Sequence, residues 1–164
     1  MDKCFFPYGT KSKEFLIKRT IYLIRYLTLK KVDRVILACN TLSLLVLEEV
    51  KKYFKTEIVG VFELFDFNKY KGCLLIGTKN TISILKNRNL DIELIEESLL
   101  IDAIENDRNV DDILEEKKDI YNKYPYVLLG CTHFINIKTK IKNSISQDEL
   151  YLARYNSCDS FCNT

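Results

Sequence analysis

At 164 residues with 47% hydrophobic content, the chain is the size of one ordinary domain, or of two small lobes sharing an interface, and can build a core. Lys and Arg total 25 against 23 for Asp and Glu, a formal charge of +2, and the charges alternate instead of gathering into a basic block, which argues against a phosphate-tracking surface and a nucleic-acid partner. Every apolar run falls short of the roughly 20 residues of a membrane span, and "MDKCFFPYGT" has no basic stretch followed by an apolar one, so the expectation is a cytoplasmic globule without membrane contact.

In chain order, "KEFLIKRTIYLIRYLTLKK" (13–31) carries apolar residues at spacings of three and four and predicts a helix. "RVILA" (34–38) is a continuous apolar run rich in β-branched residues and predicts a buried strand. "TLSLLVLEEVKKYF" (41–54) returns to helical spacing, and "EIVGVF" (57–62) and "CLLIGT" (73–78) predict two further strands. "KNTISILKNRN" (79–89) and the charged stretch over 98–124 predict more helices, and "YVLLG" (126–130) a last strand. Strand and helix alternating through short connections predict an α/β fold, with a mainly parallel sheet flanked by helices. Two pseudo-equivalent lobes, over 1–62 and 63–164, are expected around "ACNT" and "GCTH".

Six cysteines in such a chain are expected as reduced thiols. None forms C-x-x-C, Cys158 and Cys162 stand four apart, and the chain has one histidine, so no structural zinc or other metal site is expected. Two corners are alike: "VILACNTLS" (35–43) and "VLLGCTHFI" (127–135) each end an apolar run in a small residue, a cysteine, and hydroxyl, amide or imidazole side chains. Cys39 and Cys131 therefore sit just past the carboxyl ends of predicted strands, where open α/β sheets place their ligand sites. A helix starting there offers free N–H groups and partial positive charge, which should lower the thiol pKa. Asn40, Thr41, Thr132 and His133 can cap those helices or donate to a bound carboxylate.

Two thiols facing each other across a small cleft suit racemisation by two bases: one thiolate takes an acidic C–H proton from one face of a stereocentre, and a thiol returns one to the other. Cysteines that only fill space at strand ends are the plain alternative. A nucleophilic Cys131–His133 pair is a third, although side chains two residues apart on such a turn are expected to diverge. No G-x-G-x-x-G follows a strand and no lysine sits in either corner, so neither nicotinamide nor pyridoxal phosphate is implied, and no cofactor is expected.

"PYGTKS" (7–12), "ACNT" (38–41), "IVGVFE" (58–63), "IGT" (76–78) and "GCTH" (130–133) resemble, in order and nearly end to end, segments of glutamate racemases in the aspartate/glutamate racemase family. The resemblance implies cofactor-independent interconversion of L- and D-glutamate, supplying D-glutamate for peptidoglycan. It implies Cys39 and Cys131 as catalytic bases, Tyr8, Gly9, Asn40, Thr41, Thr132 and His133 as substrate contacts, and Glu105 in "LLIDAIEN" as a supporting carboxylate or a solvated helix residue. The partner that the resemblance implies is a small amino acid, glutamate, and a homodimer is compatible with it. Family members normally begin with a strand leading into an Asp-Ser-Gly turn, so by resemblance the chain starts inside the family's domain, N-terminally truncated, with its middle compressed. "YNSCDSF" (155–161) resembles the family's last strand. Two alternatives stay open: a shortened, inactive homologue that binds a small amino acid or none, and a racemase for aspartate or another amino acid.

Overall fold

The computed structural model describes residues 2, 5, 8–64 and 66–146, residues 63 and 64 by backbone only. Pro7, "YNSCDSF" and the Cys158 and Cys162 pair lie outside the described residues. A short 3₁₀ turn, Tyr8–Thr10, precedes helix α1 (Lys13–Leu29), whose N-cap Ser12 accepts from the Phe15 N–H at 3.2 Å. Leu16, Thr20 and Ile24, four apart, bury one face of α1.

All strand pairs are parallel and fall into two sheets. In the first, β1 (Arg34–Leu37) pairs with β2 (Glu57–Gly60), with Arg34 opposite Glu57 and their side chains bridged at 2.7 Å. Val35 and Leu37 point into a core shared with Leu16, Ile24, Val46 and Leu47, while Arg34 and Ile36 face outward. Among the described residues β1 pairs with β2 alone. The second sheet runs β4 (Glu93–Glu96), β3 (Leu74–Gly77), β5 (Val127–Gly130), β6 (Ser144–Ile145). Every residue of β3 and β5 is buried, as expected of central parallel strands covered on both faces. Leu74, Ile76, Val127 and Leu129 pack under α5 (Ser98–Glu105) and α6 (Asp111–Tyr121); Leu75 and Leu128 pack on the opposite face against Ile82 and Leu85 of α4 (Lys79–Lys86).

The helix expected over 41–54 is two helices, α2 (Asn40–Leu45) and α3 (Leu47–Lys51), broken at Val46, whose φ is −126°. Ser43 accounts for the bend: its hydroxyl donates to the Cys39 carbonyl at 2.9 Å and lies 3.2 Å from that of Leu37, and such back-bonding four residues upstream bends helices. The charged stretch over 98–124 likewise divides into α5 and α6, with Asp107 between them at φ 51°.

The central strands meet closely at Gly130. A Cβ there would lie 2.6 Å from the Ile76 carbonyl oxygen and 2.7 Å from Leu75 Cδ2, and a backbone oxygen inside a sheet cannot swing away. Gly130→Ala is therefore expected to destabilise the fold by about 1–3 kcal/mol, read as a lower urea midpoint at unchanged slope.

Candidate functional site

Both cysteines occupy the positions that the strand ends dictate. Cys39 is the residue before α2, with extended backbone (φ −150°, ψ 125°), and Cys131 stands before a run of 3₁₀ turns, Thr132–Lys140, also extended (φ −140°, ψ 135°). Their corners open onto one cavity of about 610 Å³, which Cys39, Asn40, Thr41, Cys131, Thr132, His133, Tyr8, Gly9 and Glu105 all line. Gly9 lets the first turn come close: a Cβ on it would meet Thr78 Cβ and Cγ2 at 3.3 Å. The Tyr8 hydroxyl donates to Asp2, and Arg19 grips the same carboxylate through Nε at 2.7 Å and Nη2 at 2.8 Å. Those guanidinium bonds hold the Asp2 carboxyl below the usual range, while burial and the bond to Asp2 push the Tyr8 phenol up.

Asn40 is 2% exposed, and neither atom of its side-chain amide has a hydrogen-bond partner. A buried amide left unmade costs about 1–3 kcal/mol, so a wall of the cavity carries a donor and an acceptor that a ligand would satisfy. Asn40→Leu should accordingly raise the stability of the empty protein by that amount while abolishing ligand binding, a pairing that thermal melts with and without ligand would read. Beside it, Thr41 Oγ1 lies 3.4 Å from Thr78 Oγ1, and the Thr78 hydroxyl donates to Thr81 at 3.0 Å. Thr78, Ser98 and Asp102 line the cavity too and were not expected there. Thr78 carried a readable signal, since it ends the run "CLLIGT" and caps α4, the same kind of corner as at Thr41.

The expected lowering of the thiol pKa values is overturned. Burial pushes Cys39 up despite the N–H groups of Leu42 and Thr41 and the Thr41 hydroxyl, and it pushes Cys131 up to about 12 despite the His133 N–H. Nearby negative charge from Cys39 and Glu105 raises Cys131 further, and burial raises the Glu105 carboxyl as well. The helix-end contribution is small because α2 has six residues and the second corner begins 3₁₀ turns instead of an α-helix, so desolvation wins. The expected divergence of Cys131 and His133 does not occur either: Sγ lies 3.5 Å from Nδ1, because the extended Cys131 turns its side chain back over the first turn. Burial lowers the His133 pKa, so at neutral pH the imidazole is uncharged and brings no positive charge to the thiol.

Two thiols, a buried amide, hydroxyls and backbone N–H groups around a cavity of this size can hold a small zwitterion and exchange one proton with either face of it. Among the described residues no group of three or more His, Cys, Asp or Glu is placed to hold a metal ion, and no helix is long and apolar enough to cross a membrane.

No protein-family model matches the chain. Curated relatives do: a glutamate racemase of Aquifex aeolicus is 31% identical over 157 residues, covering 84% of this chain and 60% of the relative. One from Helicobacter pylori is 33% identical over 160 residues, covering 86% and 63%. The chain thus spans less than two thirds of the length of the curated relatives it matches. Among solved structures, glutamate racemase isoform RacE1 of Bacillus anthracis superposes with a TM-score of 0.79 at 19% identity, covering 99% of this chain and 71% of that one. Glutamate racemase of Francisella tularensis in complex with D-glutamate gives 0.73 at 22% identity, covering 99% and 72%.

Proposed function

The chain belongs to the glutamate racemase family, and from that premise we propose that it interconverts L- and D-glutamate without a cofactor, Cys39 serving one face of Cα and Cys131 the other. The observation that carries this reading is the placing of both thiols on one cavity together with the unsatisfied Asn40 amide. A two-base reaction needs one thiolate and one thiol at the start. Mutual repulsion between Cys39 and Cys131 disfavours ionisation of both at once, so when one thiol gives up its proton the other keeps its own. The thiolate takes the Cα proton, the electron pair passes to Cα and its carboxylate, and the opposite thiol donates its proton to the other face. The enzyme ends with its two protonation states exchanged. Asn40, Thr41, Thr132, Tyr8 and the Gly9 backbone would hold the carboxylate and ammonium groups, His133 would stand beside Cys131, and Glu105 would support it.

In the cell this activity would run in the cytoplasm and supply D-glutamate to peptidoglycan. The two sheets would form the cores of two lobes, divided near residue 62. The test is deuterium uptake at Cα from each enantiomer of glutamate in heavy water, with aspartate offered alongside. Faster exchange on glutamate in both directions supports the assignment; none on glutamate overturns it, and faster exchange on aspartate reassigns the substrate.

One observation favours a second reading, a binder that no longer turns over: the enclosure that pushes Cys131 up to about 12 leaves little thiolate in the empty cleft at neutral pH. Saturable heat of binding with D-glutamate, without exchange, would select it.

A further inference from the structure

A glutamate whose Cα lies between the two thiols, its ammonium and α-carboxylate held by the cysteine corners and the Tyr8–Thr10 turn, must send its side chain to one of the remaining walls of the cleft, those of α4 and α5. The α5 wall is hostile to an anion. It offers the apolar Leu99, the Glu105 carboxyl and the Asp102 carboxylate, which Asn106 holds at 2.9 Å and Arg108 pairs with. The Ser98 hydroxyl on the same wall already donates to Glu96, at 2.6 Å.

The α4 wall is the reverse. Thr78 caps the helix by accepting the Thr81 N–H at 3.2 Å, and its carbonyl takes the Ile82 N–H at 2.9 Å, so the N–H groups of Lys79 and Asn80 are left over at the positively polarised end of α4. Lys79 is the one lysine or arginine that lines the cleft among the described residues, and it forms no ion pair with any of them. Its side chain is exposed, and its flexible stem lets the ammonium follow a carboxylate to this wall. The Asn40 amide, buried and without a partner on the same cavity, marks it independently as a place for a polar ligand. At neutral pH glutamate brings one net negative charge into a cleft that must hold a thiolate and already carries Asp102 and Glu105. A cation at Lys79 offsets that repulsion.

We propose that Lys79 is the specificity-determining residue of the cleft, its ammonium and the first N–H groups of α4 together holding a carboxylate on the substrate's side chain, so that acidic α-amino acids are taken in preference to neutral ones of the same size. This rests on the functional reading above for the placing of the substrate, but not for the chemistry done on it.

The experiment titrates D-glutamate and D-glutamine, alike in size and different in side-chain charge, by calorimetry into the unmodified chain, Lys79→Met and Lys79→Arg, and follows Cα deuterium exchange in parallel. Lys79 is exposed on the first turn of α4, and methionine keeps its reach and helix propensity, so the variant should fold. The preference for glutamate over glutamine should fall by about tenfold in Lys79→Met, through glutamate affinity alone, and return in Lys79→Arg. Added salt should weaken glutamate binding more in the unmodified chain than in Lys79→Met. A preference unchanged in Lys79→Met overturns the proposal. So does an equal loss for both amino acids, which a damaged cleft would give, and so does failure of the unmodified chain to bind either. A preference that depends on Lys79, without Cα exchange, upholds this proposal and overturns the functional reading; exchange with a preference indifferent to Lys79 does the opposite.

Discussion

Cys39→Ser and Cys131→Ser will each slow racemisation of glutamate by about 10²–10⁴-fold, the contribution of a positioned acid or base. A serine hydroxyl is too weak an acid to supply the alkoxide that would replace a thiolate, so either substitution removes one face of the reaction. Because a racemisation must use both faces to complete a turnover, the double variant should be little slower than either single one. Inversion of L- and of D-glutamate followed by polarimetry reads all three. Racemisation untouched in both single variants would show that the thiols are not the bases. Additive losses, each single variant slowed modestly and the double by the product, would show that they act independently.

Alkaline pH will weaken the fold, and the Cys131 thiol will contribute to the loss. Its thiol titrates near 12 in the folded protein against 9.0 for an ordinary cysteine. Between those values the unfolded chain has released a proton that the folded one still holds, so stability falls as pH rises. The contribution is complete below pH 9 and is lost progressively up to pH 12, roughly 4 kcal/mol across the window. Urea midpoints taken through that range should drop, and the drop should be markedly shallower in Cys131→Ala, so the difference between the two curves isolates this thiol from the tyrosines and lysines that titrate nearby. Alkylation of Cys131 in the ligand-free protein should follow the same titration. Parallel curves for the parent and the variant would mean that the thiol ionises freely in the folded state.

The sequence pattern revealed β1, β2, β3 and β5, because each is an apolar run rich in Val, Ile or Leu that a sheet can bury. β4 was not visible. Its four residues, Glu93-Leu94-Ile95-Glu96, pair on one side only among the described residues and stay partly exposed, so glutamates are tolerated at both ends and the apolar signal is two residues long. β6 is two residues, too short for any periodicity. Missing β4 hid part of the cleft: α5 follows it directly and carries Ser98 and Asp102 to the cavity, whereas Glu105 came into view only through family resemblance. That Cys39 and Cys131 would share a cleft was read from the likeness of their two corners, since β1 and β5 lie in different sheets and no strand pairing joins them. Their acidity did not follow. A helix end is local and can be read from a short peptide, but desolvation depends on every chain segment that encloses the sulfur, and here it decides the direction.

The side of β1 that no described strand pairs bears also on how the protein behaves at high concentration. A bare strand edge offers amide and carbonyl groups to any passing chain, and Ile36, 39% exposed, adds an apolar anchor beside them. Two features restrain such templating: the strand is four residues long, and the Arg34–Glu57 ion pair sets charge at its start. Among the described residues the open edge is therefore a very short stretch of backbone, and a lysine placed at Ile36 would guard it without replacing either cysteine.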